Sequence, residues 1–156
     1  MHLHQFLWLL ALTGAFVLLG LGAEAVWDWI LFQPGPGRVC ANLNARQARV
    51  WLSTHPETQV LDVRSAREFA GGALPGAHHL PSGDPAFDQL AGALDRGKPV
   101  LVYCAGGYRS RKAVTRLKEL GFTNIQHLHR GYLSWPASGK TGTGSTTSPT
   151  SSEPSP

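Results

Sequence analysis

Between residues 38 and 136, short continuous apolar runs alternate with segments whose apolar residues fall three and four apart. Cys40 reads as a small hydrophobe in a short first strand, with a resolving thiol as the alternative. Asn44 stands as an N-cap before Ala48, Trp51 and Leu52, which share one helical face. QVLDV at 59–63 is a short apolar run with two valines, a buried strand, and AHHL at 77–80 follows the turn Pro75-Gly76 as a weaker one. Asp84-Pro85 then predicts a helix, as N-cap and first helical position. Its face is Phe87, Leu90, Ala91 and Leu94, and Gly97 ends it. PVLVY at 99–103 is apolar throughout, as in a parallel sheet covered on both faces. SRKAVTRLKELG at 110–121 carries Ala113, Val114, Leu117 and Leu120 on one face and stops at Gly121. NIQHL at 124–128 is the last strand. With a short helix after the second strand, this order predicts an α/β fold: a parallel, doubly wound sheet with helices on both faces.

The flanks follow other rules. Met1 to Ala23 contains no Lys, Arg, Asp or Glu, and Gln5–Ala23 as a helix would cover about 28 Å, close to the hydrocarbon thickness of a bilayer. VWDWILF follows at 26–32, with Trp27 and Trp29 placed like an interfacial belt. Residues 1–32 therefore read as an N-terminal anchor with one transmembrane helix. The competing reading is a signal segment cleaved at Ala23-Glu24-Ala25, which would export the domain; the absence of Lys and Arg from MHLHQ speaks against it. The first cations after the span are Arg38, Arg46 and Arg49, which leans the domain toward the cytoplasmic side. QPGPG at 33–37 is a hinge, since two prolines and two glycines cannot continue a helix. The domain occupies 38–136, and residues 137–156 form a Ser/Thr/Pro-rich tail expected to be disordered. GKT at 139–141 is not a phosphate-binding loop: the pattern needs a glycine where Ser134 stands, and no strand precedes it.

Composition narrows the class. The net charge is +4 with only 15% charged residues, and the scattered Lys and Arg form no nucleic-acid-binding run. Two cysteines exclude a disulfide scaffold.

The candidate chemistry lies where PVLVY runs into CAGGYRS at 104–110 and then into a helix. A cysteine between a central strand and a helix N-terminus meets loop N–H groups and partial positive charge, which favour thiolate. Cys104 is thus the candidate nucleophile, with Ala105, Gly106, Gly107, Tyr108, Arg109 and Ser110 lining the cradle. Gly106 and Gly107 are expected to supply positive φ, and Arg109 a planar fork for an anion. Arg111 and Lys112 in the first turn, where the dipole disfavours cations, fit an anion in the loop.

LDVRSAREFAGGALPGAHHLP at 61–81, CAGGYRS at 104–110 and HRGYLSW at 129–135 resemble the rhodanese family of sulfurtransferases: its DVR…E-F-x-x-G-H-I-P-G-A block, its C-x-x-G-x-R loop and its closing segment. Two positions depart from the pattern: Ala73 stands for the block's usual His, and Arg130 for the first of two closing glycines. The resemblance implies a single-domain sulfurtransferase without cofactor, using a Cys104 persulfide in ping-pong chemistry. It implies a small sulfur donor, thiosulfate or a persulfide, and a thiol or protein acceptor. Asp62 and Arg64 resemble the family's structural pair and take a supporting role. Related phosphatases and arsenate reductases carry one more residue between Cys and Arg. The four residues between Cys104 and Arg109 resemble the sulfur-transferring type. A low-turnover persulfide carrier is the alternative with the same cysteine. His127 with His129, and His78 with His79, read as polar residues at the sheet edge and give no metal site, since a third ligand is missing. Trp135 is expected to pack the end of the domain.

Overall fold

The computed structural model describes residues 20, 22–23, 25–32 and 39–140. The chain divides into two compact units, Met1–Gln33 and Pro34–Pro156. In the first, residues 25–31 are helical. Most of the expected membrane span, the hinge at 33–37 and the tail from 141 lie outside the described residues. Among the described residues no helix is long and apolar enough to cross a membrane.

The second unit is a five-stranded sheet, β1 (Val39–Leu43), β2 (Gln59–Asp62), β3 (Ala77–His79), β4 (Val100–Tyr103) and β5 (Asn124–Leu128). The spatial order is β1-β5-β4-β2-β3, and every pairing is parallel. Helices α1 (Ala45–Thr54), α2 (Ala66–Ala70), α3 (Phe87–Gly92) and α4 (Tyr108–Glu119) connect successive strands. The strand and helix order is the one expected from the alternation of apolar runs. All four residues of β4 are buried, which explains why its sequence has no polar alternation.

Local signals set most boundaries. Asn44 caps α1 by accepting from the Gln47 N–H, while Gln47 Oε1 accepts from the Asn44 N–H. Gly121, with φ +90°, stops α4. Both boundaries of α3 differ from expectation. Asp84 does not cap α3: its Oδ1 accepts from the Ala86 N–H in a turn, and the helix begins at Phe87. It also ends at Gly92, well before Gly97. The cause is Gln59 at the start of β2, whose side chain bonds both the N–H and the carbonyl of Asp95 and holds that backbone out of a helix. Leu94 is accordingly only half-buried. The domain also extends past Pro136. Ala137–Gly139 forms a 3-10 turn whose Gly139 carbonyl accepts from Trp135 Nε1 at 3.0 Å. The first residues assigned to the tail are therefore held by the buried Trp135.

Candidate active site

The chain runs from β2 outward to β3, then crosses back over β2 to place β4 on its other side. The carboxyl ends of β2 and β4 thus flank the point where the winding reverses, the usual crevice of an open α/β sheet. Asp62 ends β2 and pairs in register with Tyr103, which ends β4. Cys104 is the next residue and is 1% exposed.

Two donors reach the Cys104 sulfur. The Gly107 N–H lies 3.1 Å from Sγ and the Ser110 hydroxyl 3.4 Å. Gly107 turns the backbone toward the sulfur with φ +100° and serves as N-cap of α4, which starts at Tyr108 rather than at Ser110. A side chain there would be strained and would meet the Arg130 N at 3.1 Å. Gly106 has no such need: its φ is ordinary and the space beside it is open. The expected positive φ therefore belongs to Gly107 of the two. Ala105 is half-buried, and Tyr108 is exposed at the helix start. A second backbone segment holds the loop from behind. In the 3-10 turn Gly131–Ser134, the Tyr132 N–H donates to the Cys104 carbonyl at 2.7 Å and the Leu133 N–H to that of Ala105 at 3.0 Å. A Cβ on Gly131 would sit 2.1 Å from the Cys104 carbonyl oxygen, so glycine is required for this approach.

Arg109 is placed differently from expectation. Its fork does not stand open to an anion. Nη1 donates to Glu68 Oε2 at 2.8 Å and Nη2 to Oε1 at 2.6 Å. Glu68 also accepts from the N–H and hydroxyl of Ser65 in the capping box of α2. Arg109 holds the Glu68 carboxyl down to about 2, and Glu68 in turn raises Arg109. Ser65-x-x-Glu68 is a capping-box spacing visible in sequence, but its second use by Arg109 is a long-range contact that spacing cannot reveal.

Asp62 and Arg64 form a buried ion pair. Arg64 Nε donates to both Asp62 oxygens, and Nη2 reaches the Gly72 carbonyl at 2.6 Å. The Arg64 guanidinium lies 4.0 Å over the Tyr132 ring. Neither residue touches Cys104 among these contacts; the pair ties the end of β2 to the 72–74 segment. Tyr103 does the same from β4, its hydroxyl accepting from the Leu74 N–H at 3.0 Å, and burial pushes its ionisation up.

His127 corrects the sheet-edge reading. β5 lies between β1 and β4, and His127 is fully buried. Its Nε2 is 2.8 Å from Ser110 Oγ and its Nδ1 2.8 Å from Asn42 Oδ1. Burial lowers it to about 4, so it is neutral near pH 7. No local signal marks His127 or Asn42; they meet because β1 pairs with β5 in the register Asn42↔His127. His129 is half-buried, His78 is exposed, and His79 contacts the Arg64 carbonyl and stacks on Phe69. Among the described residues no group of three His, Cys, Asp or Glu is placed to hold a metal ion. Cys40 is buried, and desolvation raises its thiol.

A cysteine loop at the end of the central strand of a parallel α/β domain, backed by a glycine turn, defines a class that the comparisons resolve. Residues 45–138 match the model of the rhodanese-like domain, and the chain belongs to that family. The uncharacterized protein YqhL of Bacillus subtilis is 34% identical over 79 residues, 51% of this chain and 61% of that protein. A tRNA uridine(34) hydroxylase of Erwinia tasmaniensis is 30% identical over 102 residues, 62% of this chain but 29% of its own length. A probable adenylyltransferase/sulfurtransferase MoeZ of Mycobacterium tuberculosis is 26% identical over 61% of this chain and 24% of its own. The chain thus spans less than two thirds of these relatives. Among solved structures, a rhodanese-related protein of Thermoplasma volcanium superposes with a TM-score of 0.53 at 29% identity, covering 61% of this chain and 89% of that one. A rhodanese-like domain protein of Staphylococcus aureus superposes with 0.58 at 23% identity, covering 66% and 97%, which shows the fold.

Proposed function

We propose that the protein is a membrane-anchored sulfurtransferase that carries sulfane sulfur on Cys104. The observation that carries this reading is the Cys104 sulfur itself, held by the Gly107 N–H and Ser110 hydroxyl in a loop of the family's length. The thiolate attacks the outer sulfur of the donor. A new S–S bond forms at Cys104, the donor's S–S bond breaks, and the leaving thiolate or sulfite takes the electron pair. An acceptor thiolate then attacks the outer sulfur of the persulfide, and Cys104 leaves as thiolate. Helix α4 directs its N-terminus at this charge. The thiosulfate:acceptor reaction is tested by treating the protein with thiosulfate and weighing it: Cys104 gains one sulfur atom, and Cys104→Ser does not. Steady-state thiocyanate formation with cyanide then measures turnover. A folded Cys104→Ser protein that still turns over would remove this assignment.

One observation favours a second reading. Glu68 engages the Arg109 fork, so its charge is matched before any dianionic donor arrives. That supports a persulfide donor, or a low-turnover persulfide carrier for a protein partner, over thiosulfate. Rapid persulfide formation with slow thiocyanate release would select it.

The anchor is supported by the uncharged stretch Met1–Ala23 and by Val26, Trp27, Trp29 and Ile30, all exposed large apolar residues. We place the domain on the cytoplasmic side, following the cations after the span. Alkaline carbonate extraction of the full chain is expected to leave it in the membrane fraction. Release into the wash, or a mature chain beginning at Val26, would instead identify a cleaved, exported protein.

A further inference from the structure

A line of polar side chains runs beneath the loop, away from the crevice. Ser110 Oγ lies 3.4 Å from Cys104 Sγ, 3.0 Å from the Gly107 carbonyl and 2.8 Å from His127 Nε2. His127 Nε2 is also 3.2 Å from the Gly107 carbonyl. Its Nδ1 faces Asn42 Oδ1 at 2.8 Å, and Asn42 Nδ2 faces Nδ1 of the half-buried His129 at 3.4 Å. Cys104, Ser110 and His127 are each no more than 1% exposed.

The proton count in this line is restrictive. Ser110 has one hydroxyl proton and three acceptors within reach. A neutral imidazole has one N–H. If it is on Nδ1, it donates to Asn42 Oδ1. The bare Nε2 then takes the Ser110 proton at 2.8 Å, and Cys104 loses that donor. In this state the Nε2 lone pair also faces the Gly107 carbonyl. If the proton is on Nε2, it faces the Ser110 oxygen at 2.8 Å and the Gly107 carbonyl at 3.2 Å, both as acceptors, and the Ser110 proton is left for the sulfur. Nδ1 then accepts from the Asn42 amide, whose oxygen turns to His129. The exchange moves one proton from Nδ1 to Nε2 and leaves the ring neutral. An anionic sulfur favours the second arrangement, because a charge-assisted hydrogen bond is stronger than a neutral one.

We propose that His127, oriented by Asn42, is a positioning residue for the Cys104 nucleophile: through its tautomer it decides whether the Ser110 hydroxyl donates to the sulfur. This rests on the Cys104 reading above and adds a second group of residues, on β5 and β1, that govern its reactivity. Ser110 touches the sulfur; His127 acts through it.

The test uses the full chain and iodoacetamide, so it does not depend on any sulfur donor. Ser110→Ala removes the donor. His127→Phe leaves the Gly107 carbonyl, 3.0 Å from Ser110 Oγ, without the ring N–H and so open to the Ser110 proton. Each is expected to slow Cys104 alkylation roughly tenfold, about the loss of one hydrogen bond to a charged group. The double variant is expected to be no slower than either single one, because both break the same contact. His127→Gln, whose amide can donate near the Nε2 position, is expected to recover part of the rate. Independent, multiplying losses would overturn the proposal, as would a wild-type rate in folded His127→Phe. If His127→Phe does not fold, nitrogen-15 NMR of the wild-type ring decides. The Nε2–H tautomer is expected with Cys104 thiolate free and the Nδ1–H tautomer after alkylation; one unchanged tautomer overturns it. Coupled alkylation in a protein whose Cys104 gains sulfur from neither thiosulfate nor a persulfide donor would sink the proposed function and leave this inference standing.

Discussion

The floor of the Cys104 loop and its rim each hold an arginine–carboxylate pair of similar geometry, and the surroundings make them different devices. On the floor, Arg64 and Asp62 have side chains 4% and 0% exposed. On the rim, Arg109 and Glu68 are 40% and 33% exposed. A buried pair adds little net stability, but removing one partner strands the other's charge in a low-dielectric interior. A rim pair is screened by water, so breaking it costs little and changes mainly the field felt by an incoming anion. The floor should therefore govern folding and the rim substrate choice. Asp62→Ala tests the first half most severely. It leaves the Arg64 guanidinium unmatched beside Gly72 and is expected to cost about 3–5 kcal/mol in urea unfolding. Replacing both partners with Leu and Met is expected to cost far less. A double variant as unstable as Asp62→Ala would mean that the Gly72 contact, and not the buried charge, is what matters.

His127 belongs to the floor by the same criterion, and its expected effect is next in size. Its folded value of about 4 lies below the ordinary imidazole value of 6.5, because burial disfavours the charged ring. The unfolded chain therefore binds the proton first as pH falls. The stabilisation present above pH 6.5 is lost progressively down to about pH 4, by roughly 3 kcal/mol in all. His127→Gln, with no titrating group, is expected to lack that slope when urea midpoints are compared at pH 7 and pH 4.5. Parallel pH profiles for the two proteins would place the proton uptake elsewhere.

The rim predicts the opposite pattern. Glu68→Gln is expected to cost about 1 kcal/mol or less of stability, as for exposed pairs. It also uncovers the Arg109 charge beside the loop. The ratio of kcat/KM for thiosulfate to that for an uncharged persulfide donor is then expected to rise about tenfold or more, the effect of one added charge-assisted contact. The Glu68 contribution to stability is present above pH 4.5 and lost as pH falls through about 2, so the variant differs from wild type least in strong acid. An unchanged donor ratio would show that Arg109 shapes the loop without sensing the donor.

Floor and rim also differ in how far they were legible in the sequence. The alternation of runs at 59–63, 77–80, 99–103 and 124–128 with helical spacings was enough for the parallel α/β order, because each strand's apolar run is a local property. Cys104, Gly107 and Ser110 were legible for a similar reason: strand, glycine turn and helix start are contiguous. Asp62 and Arg64 were legible only through the resemblance of their block to the family's structural pair. What escaped depends on register and distance. His127 is 23 positions from Cys104 and reaches the site because β5 lies between β1 and β4. Glu68 is separated from Arg109 by 41 positions. Reading Arg109 as an open fork was correct chemistry for the residue and missed the partner. The short α3 was misjudged likewise, since Gln59 pins Asp95 across 36 positions.

Arg130 offers the finest test of the contrast, because it sits on the rim with a strained backbone. It is the sole non-glycine among the described residues with positive φ, at 64°. The closing segment usually places a glycine there, and Gly131, its neighbour, must be glycine to approach the Cys104 carbonyl. Arg130 is different: it is exposed. The left-handed conformation costs a side-chain-bearing residue roughly 1–2 kcal/mol, and glycine gives back about 0.4–1 kcal/mol through its more flexible unfolded chain. Arg130→Gly is therefore expected to stabilise the fold by about 0.5 kcal/mol, while Gly131→Ala destroys the loop's seat. Removing the cation also separates strain from function. If Arg130 only tolerates its conformation, alkylation and sulfur transfer at Cys104 should be unchanged while the urea midpoint rises. A stabilised variant with slower reaction of anionic donors alone would instead make Arg130, with Arg109, part of the rim field that selects them.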